Sequence, residues 1–96
     1  MKRDGIFVED GITRHIVNGR HHREDGPAII YSDGTTEWCF AGNTHRDDGP
    51  AIERPDGYKE WVFLNNKHRI GGPAVIHPSG SVEFWVNGVR KDVKPK

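Results

Sequence analysis

The chain has 96 residues, 33% of them apolar, a mean hydropathy of -0.77 and one cysteine, Cys39. That is enough for one thin domain but not for a deep catalytic cavity or a disulfide framework. Fourteen Lys and Arg balance fourteen Asp and Glu, with a net charge of zero and a pI near 7.0, which argues against a nucleic-acid binder steered by phosphate charge. No apolar run reaches the about 18 residues of a membrane helix, and Met1 to Asp10 holds no apolar stretch of leader length. A soluble, cytoplasmic protein is therefore expected.

In chain order, residues 1–21 form a degenerate first unit: Ile6-Phe7-Val8 reads as strand, Asp10-Gly11 as a turn, and Asn18-Gly19 as the end of a second strand. A full unit follows over 22–44. It opens on His22-Arg23, passes through Gly26-Pro27-Ala28 into a short strand Ala28 to Tyr31, turns at Ser32-Asp33-Gly34, and returns along Thr35 to Phe40 before Ala41-Gly42. The same frame recurs 23 residues later over 45–67, and again over 68–90. His45-Arg46 and His68-Arg69, Gly49-Pro50-Ala51 and Gly72-Pro73-Ala74, Asp56-Gly57 and Ser79-Gly80, Glu60-Trp61 and Glu83-Phe84 mark its anchors. A fixed period of this length is the signature of a repeat array, and an atypical end unit is what a cap looks like. Residues 1–90 thus read as one domain, followed by a basic tail over 91–96 that is solvated by default.

Each unit reads as a β-hairpin, since Asp-Gly and Ser-Gly supply the positive φ of a tight turn and no apolar period near 3.6 residues is sustained. The expected fold is all-β: a single twisted antiparallel meander of about four stacked 23-residue hairpins, with seven or eight strands and an ordered loop over residues 42–50. Proline starts a strand without wasting a donor, and the glycine before it is free to take whatever conformation the loop demands. Strand alternation puts Trp38, Trp61 and Phe84 on one face with Phe40, Phe63 and Val86, an aromatic ladder expected to be core. Glu37, Glu60 and Glu83 then share the other face with Cys39, Val62 and Trp85, a face expected to be partly covered or used for binding.

The His-Arg pairs invite a metal reading, but equivalent residues of stacked hairpins lie roughly 10 Å apart, too far to share an ion. Each Arg is expected to pair with a carboxylate such as Asp25, Asp48 or a Glu of the Glu-Trp column, and each His to pack or hydrogen-bond at the loop. His45-Arg46-Asp47 spells a kinase tripeptide without any of the lobes a kinase needs. Cys39 stands in the column of Val62 and reads as packing. No catalytic residue, metal or cofactor is expected. The informative positions are those where units differ: Trp85 beside Phe84, Tyr58 in a column of Thr35 and Ser81, and Ile70-Gly71 in place of Asp47-Asp48.

The unit His45-Arg46-Asp47-Asp48-Gly49-Pro50-Ala51, followed by Asp56-Gly57 and Glu60-Trp61, resembles the MORN (membrane occupation and recognition nexus) repeat. The match is to the MORN-like variant with His-Arg-x-Asp-Gly-Pro-Ala units found in short bacterial, phage and large-virus proteins. Where the standard MORN second strand is similar to Tyr-x-Gly-x-Trp, this chain has Glu60-Trp61-Val62-Phe63. The resemblance implies a hairpin-repeat scaffold and a non-catalytic protein-protein interaction module. Its specific form would be a phage or viral protein, acting in the host cytoplasm, that binds and inhibits a host factor such as a defence nuclease. The partner-binding candidates are Trp85, Tyr58, Arg46, Arg69 and Ile70. An open array also offers homodimerisation through a sheet edge or its apolar face. The alternatives are a nucleic-acid or anionic-lipid binding module and, behind it, a metal-dependent nuclease-like enzyme.

Overall fold

The computed structural model describes residues 4–92, and among them every regular element is a β-strand. The N-terminal hairpin is the longest element: β1 (Gly5–Glu9) and β2 (Ile12–Val17) pair over five positions around Asp10-Gly11, both at positive φ, and β3 (Arg20–His21) folds back on β2. After it come twelve two-residue strands. Residues 22–44 hold β4 (Ile29–Ile30), β5 (Thr36–Glu37), β6 (Cys39–Phe40) and β7 (Asn43–Thr44). Residues 45–67 hold β8 (Ile52–Glu53), β9 (Lys59–Glu60), β10 (Val62–Phe63) and β11 (Asn66–Lys67). Residues 68–90 hold β12 (Val75–Ile76), β13 (Val82–Glu83), β14 (Trp85–Val86) and β15 (Val89–Arg90).

These strands do not form one sheet. A nine-stranded antiparallel sheet runs β1-β2-β4-β5-β8-β9-β12-β13, with β3 beside β2, while β6-β7, β10-β11 and β14-β15 stand apart as two-stranded ribbons. The strand expected over Thr35 to Phe40 breaks at Trp38, whose N–H donates to the Ala51 carbonyl at 2.7 Å and whose carbonyl accepts the His45 N–H at 2.9 Å. The tryptophan backbone is thus shared between the sheet and the following loop, and Cys39 onward leaves for the ribbon. The loop expected over 42–50 accordingly begins with a strand, β7.

Both turns of each unit have local causes. Asp33 Oδ1 accepts the Thr35 N–H at 2.8 Å while the Gly34 N–H closes on the Tyr31 carbonyl at 3.0 Å, with Gly34 at φ +94°. Asp56 and Gly57 repeat this closure, with the Tyr58 N–H on Asp56 at 3.0 Å. The ribbon turns need two successive positive φ values, taken by Ala41-Gly42, Leu64-Asn65 and Asn87-Gly88. Leu64 at φ +45° is the odd member, a branched side chain where glycine or asparagine is favoured.

The core is made of small side chains. Ala28, Ala51 and Ala74 are completely buried, as are, nearly so, Ile29, Cys39, Val62 and Val75. The expected aromatic core is therefore wrong: Phe40, Phe63 and Phe84 are 46%, 43% and 40% exposed, and Trp38 and Trp61 are half-buried. The face carrying Cys39 and Val62 is the one that is closed. Burial of Cys39 pushes its thiol up to about 12, as expected of a packing residue. The molecule is elongated, 53 × 25 × 21 Å, so side-chain columns run from one 23-residue segment to the next.

Candidate functional site

Two rows of polar side chains follow from this stacking. The first lies across the sheet. Pairing sets Ile29 opposite Glu37, Glu37 opposite Ile52, Ile52 opposite Glu60, Glu60 opposite Val75 and Val75 opposite Glu83, so Glu37 and Glu60 sit between aliphatic neighbours and Glu83, on the last strand, has one. Half-buried carboxylates in such a row need donors, and each has them. Glu37 accepts from the Tyr31 hydroxyl at 2.9 Å and the Thr44 hydroxyl at 2.7 Å, Glu60 from the Tyr58 hydroxyl at 2.6 Å, and Glu83 from the Trp85 indole at 2.8 Å, with His77 Nε2 at 2.7 Å. Burial and the carboxylate acceptor push the Tyr31 hydroxyl up to about 12 and raise that of Tyr58. Bonding to His77 and then to Trp85 lowers the Glu83 carboxyl. Two sequence candidates, Tyr58 and Trp85, belong to this row, and both are half-buried. Arg54 lies over the Tyr58 ring at 4.4 Å and Lys67 over the Trp85 ring at 4.7 Å.

The second row is built by the His-Arg loops. Each histidine accepts a backbone N–H from its own ribbon turn: His22 Nδ1 from Ala41 at 2.8 Å, His45 Nδ1 from Leu64 at 3.0 Å, and His68 Nδ1 from Asn87 at 2.9 Å. Because Nδ1 is an acceptor, the ring proton sits on Nε2, which turns outward. The rings alternate with the exposed phenylalanines, His22–Phe40–His45–Phe63–His68, at centroid separations of 4.8, 6.0, 4.5 and 5.9 Å. This continuous row of rings is what became of the expected ladder.

Beside it, two of the three arginines lie on a tryptophan of the preceding segment, Arg46 over Trp38 at 3.8 Å and Arg69 over Trp61 at 4.0 Å, whereas Arg23 Nη1 meets His15 Nε2 at 3.2 Å. The guanidinium is fixed from its other side by the Gly-Pro turn. Arg46 Nη1 donates to the Pro50 carbonyl and Arg69 Nη1 to the Pro73 carbonyl, both at 3.1 Å. A Cβ on Gly49 would come within 2.9 Å of Arg46 Cζ, and one on Gly72 within 2.9 Å of Arg69 Cζ. Neither glycine is at positive φ. The glycine of Gly-Pro-Ala is needed for room beneath a guanidinium, not for an unusual backbone as the sequence suggested.

Acid partners complete two of the three loops. Arg23 Nε donates to Asp25 and Arg46 Nε to Asp48, each at 3.0 Å, while His22 and His45 point Nε2 at Glu24 and Asp47, 3.3 and 2.9 Å away. The Arg23 bond holds the Asp25 carboxyl below its usual value. Of the carboxylates expected to pair with arginine, Asp25 and Asp48 do, whereas the glutamates of the Glu-Trp column serve hydroxyl and indole donors instead. No acid stands at Ile70-Gly71, and Ile70 is 73% exposed. Arg46, Arg69 and Ile70, the remaining sequence candidates, line one hollow together with Phe63 and His68. Those last two were missed as site residues, because Phe63 was assigned to the core and His68 to packing or hydrogen bonding at the loop.

No protein-family model, curated protein or solved structure matches the chain. Any functional reading therefore rests on the geometry. Among the described residues no three His, Cys, Asp or Glu side chains converge to hold a metal ion, and no helix is long and apolar enough to cross a membrane. What the site offers is a preformed surface: exposed rings between locked histidines, flanked by arginines already ordered on tryptophan.

Proposed function

We propose that the chain is a MORN-like scaffold of about four stacked hairpin units, acting as a non-catalytic protein-protein interaction module. The observation that carries this reading is the exposed ring row, with Phe40 and Phe63 each more than 40% accessible yet held between histidines whose rings are anchored to the backbone. Apolar rings kept at the surface in a fixed geometry bind with little ordering cost, and aromatic and arginine side chains are those that dominate protein interfaces. The balanced charge supports a protein partner over a polyanion. In the form implied by the family resemblance, the partner is a host factor such as a defence nuclease, met in the host cytoplasm.

Immobilised full-length chain tests this against nuclease-treated bacterial lysate washed at moderate salt, with Phe63→Ala as the paired bait and circular dichroism as the control for folding. A protein retained by the parent and lost from a folded Phe63→Ala bait is the expected result. Retention seen only when the nuclease is omitted would point to nucleic acid, and identical retention by both baits would contradict a role for the ring row.

A further inference from the structure

The third His-Arg loop keeps every scaffold contact of the second and lacks its acids. Arg46 has two carboxylates, Asp48 on Nε at 3.0 Å and Glu53 on Nη1 at 3.7 Å. Twenty-three residues on, Gly71 and Ile76 stand in their places. His45 Nε2 meets Asp47 at 2.9 Å, and the corresponding residue beside His68 is Ile70. Yet Arg69 lies on Trp61 and bonds the Pro73 carbonyl as Arg46 does on Trp38 and Pro50, and His68 Nδ1 is locked by Asn87 as His45 is by Leu64. Among the described residues no carboxylate forms an ion pair with Arg69 or His68. Two donors, Arg69 Nε–H and His68 Nε2–H, are thus presented in the attitude that elsewhere in the chain holds Asp-Asp.

We propose that this loop is a docking site for an acidic segment of a partner protein, whose carboxylate takes the place that Asp47 and Asp48 take one unit earlier. The inference rests on the reading of the chain as an interaction module and names where and what it binds. Charge complementarity selects a carboxylate, and the chain itself supplies the precedent, since acids close the two equivalent loops. Exposed Ile70 and Phe63 beside the donors fit an apolar side chain next to that acid. Asp47 and Asp48 border the same hollow, which disfavours a densely charged phosphate chain. The guanidinium is already ordered, so binding does not bear that entropy.

The test is a titration of the ¹⁵N-labelled full chain with an acetylated, amidated peptide, Leu-Asp-Asp-Gly-Pro, read at the Arg69 and Arg46 Nε–H signals. A peptide with asparagine for both aspartates and inorganic phosphate serve as parallel ligands. Saturable shifts at Arg69, larger than any at Arg46 in the same hollow and absent with the asparagine peptide, are expected. Ile70→Asp, at an exposed position, supplies an internal acid to the loop and should weaken the peptide about tenfold or more, as expected for loss of a charge-assisted bond. The combined change Asp47→Ile and Asp48→Gly should make Arg46 respond as Arg69 does. No saturation at Arg69, equal binding of the asparagine peptide, binding of phosphate alone, or unchanged affinity in Ile70→Asp would each overturn the proposal. If the peptide fails while a captured protein still depends on Phe63, this site falls and the module reading stands. If the peptide binds but no protein is captured through Phe63, the site stands and the module reading falls.

Discussion

Residues 45–67 and 68–90 are two copies of one design that end differently. In both, an alanine with no exposed surface directly precedes the strand, an arginine lies on the tryptophan of the preceding segment, and a histidine holds the ribbon turn through Nδ1. In the first copy the outward donors close on Asp47 and Asp48; in the second they face Ile70 and solvent. The contrast separates two jobs that the repeat otherwise hides. The stack on tryptophan, the carbonyl bond and the histidine lock are common to both copies, so they belong to folding. The acids are dispensable to the architecture, because the copy without them has the same contacts. Surface ion pairs contribute little stability in general, about 0 to 1 kcal/mol, which agrees with their loss leaving the geometry intact.

The shared part should fail in the same way in both copies. Ala51→Leu and Ala74→Leu each force a larger side chain into a fully closed column, and each should cost about 3 kcal/mol or prevent folding, by the usual scale of overpacking. Urea unfolding measures this; a mild effect in one copy and a severe one in the other would show that the columns are not equivalent. A smaller effect should distinguish the ribbon turns. Leu64 occupies φ +45° where the third segment uses Asn87-Gly88, so Leu64→Asn should stabilise the chain by about 1 kcal/mol through relief of left-handed strain. No rise in the unfolding midpoint would mean that contacts of the leucine side chain offset the strain.

The smallest difference lies in the glutamate row. Glu60 accepts from a tyrosine, whereas Glu83 is held by His77 and Trp85 and its carboxyl is lowered below the usual 4.5. A carboxyl lowered by folding contributes stability that is complete above its unfolded value and is lost as the pH falls through its folded one. Acidification below about 4.5 should therefore loosen the third segment. Glu83→Gln should flatten that part of the pH dependence of thermal unfolding, and an unchanged slope would remove Glu83 as its source.

Much of this architecture was legible in the sequence. The 23-residue period, the all-β class, the Asp-Gly turns and the pairing of arginine with Asp25 and Asp48 all follow from local chemistry: turn residues at fixed offsets, and an acid two residues after an arginine. The candidates divided. Arg46, Arg69 and Ile70 meet in one hollow, whereas Tyr58 and Trp85 are tied to the glutamate row. What was not legible is non-local. The strand break at Trp38 depends on a carbonyl of Ala51 in the next segment, and the seats of Arg46 and Arg69 on a tryptophan of the previous one. Alternation gave the faces of Glu37 and Cys39 correctly but not which face is closed, because large aromatic side chains suggest a core where three alanines and a few aliphatic residues provide it. The ring row could have been suspected from the His and Phe columns sharing the same period of 23.

The claim that one arginine is closed and its counterpart open can be measured without any ligand. Solvent exchange of the Arg46 and Arg69 Nε–H protons, followed by NMR in the unmodified full chain, reports directly on whether an acceptor holds each one. Slow exchange at Arg46, bound to Asp48, and clearly faster exchange at Arg69 is the result this account predicts. Equal protection of the two would mean that the third loop is closed by a group of its own, and would contradict the account.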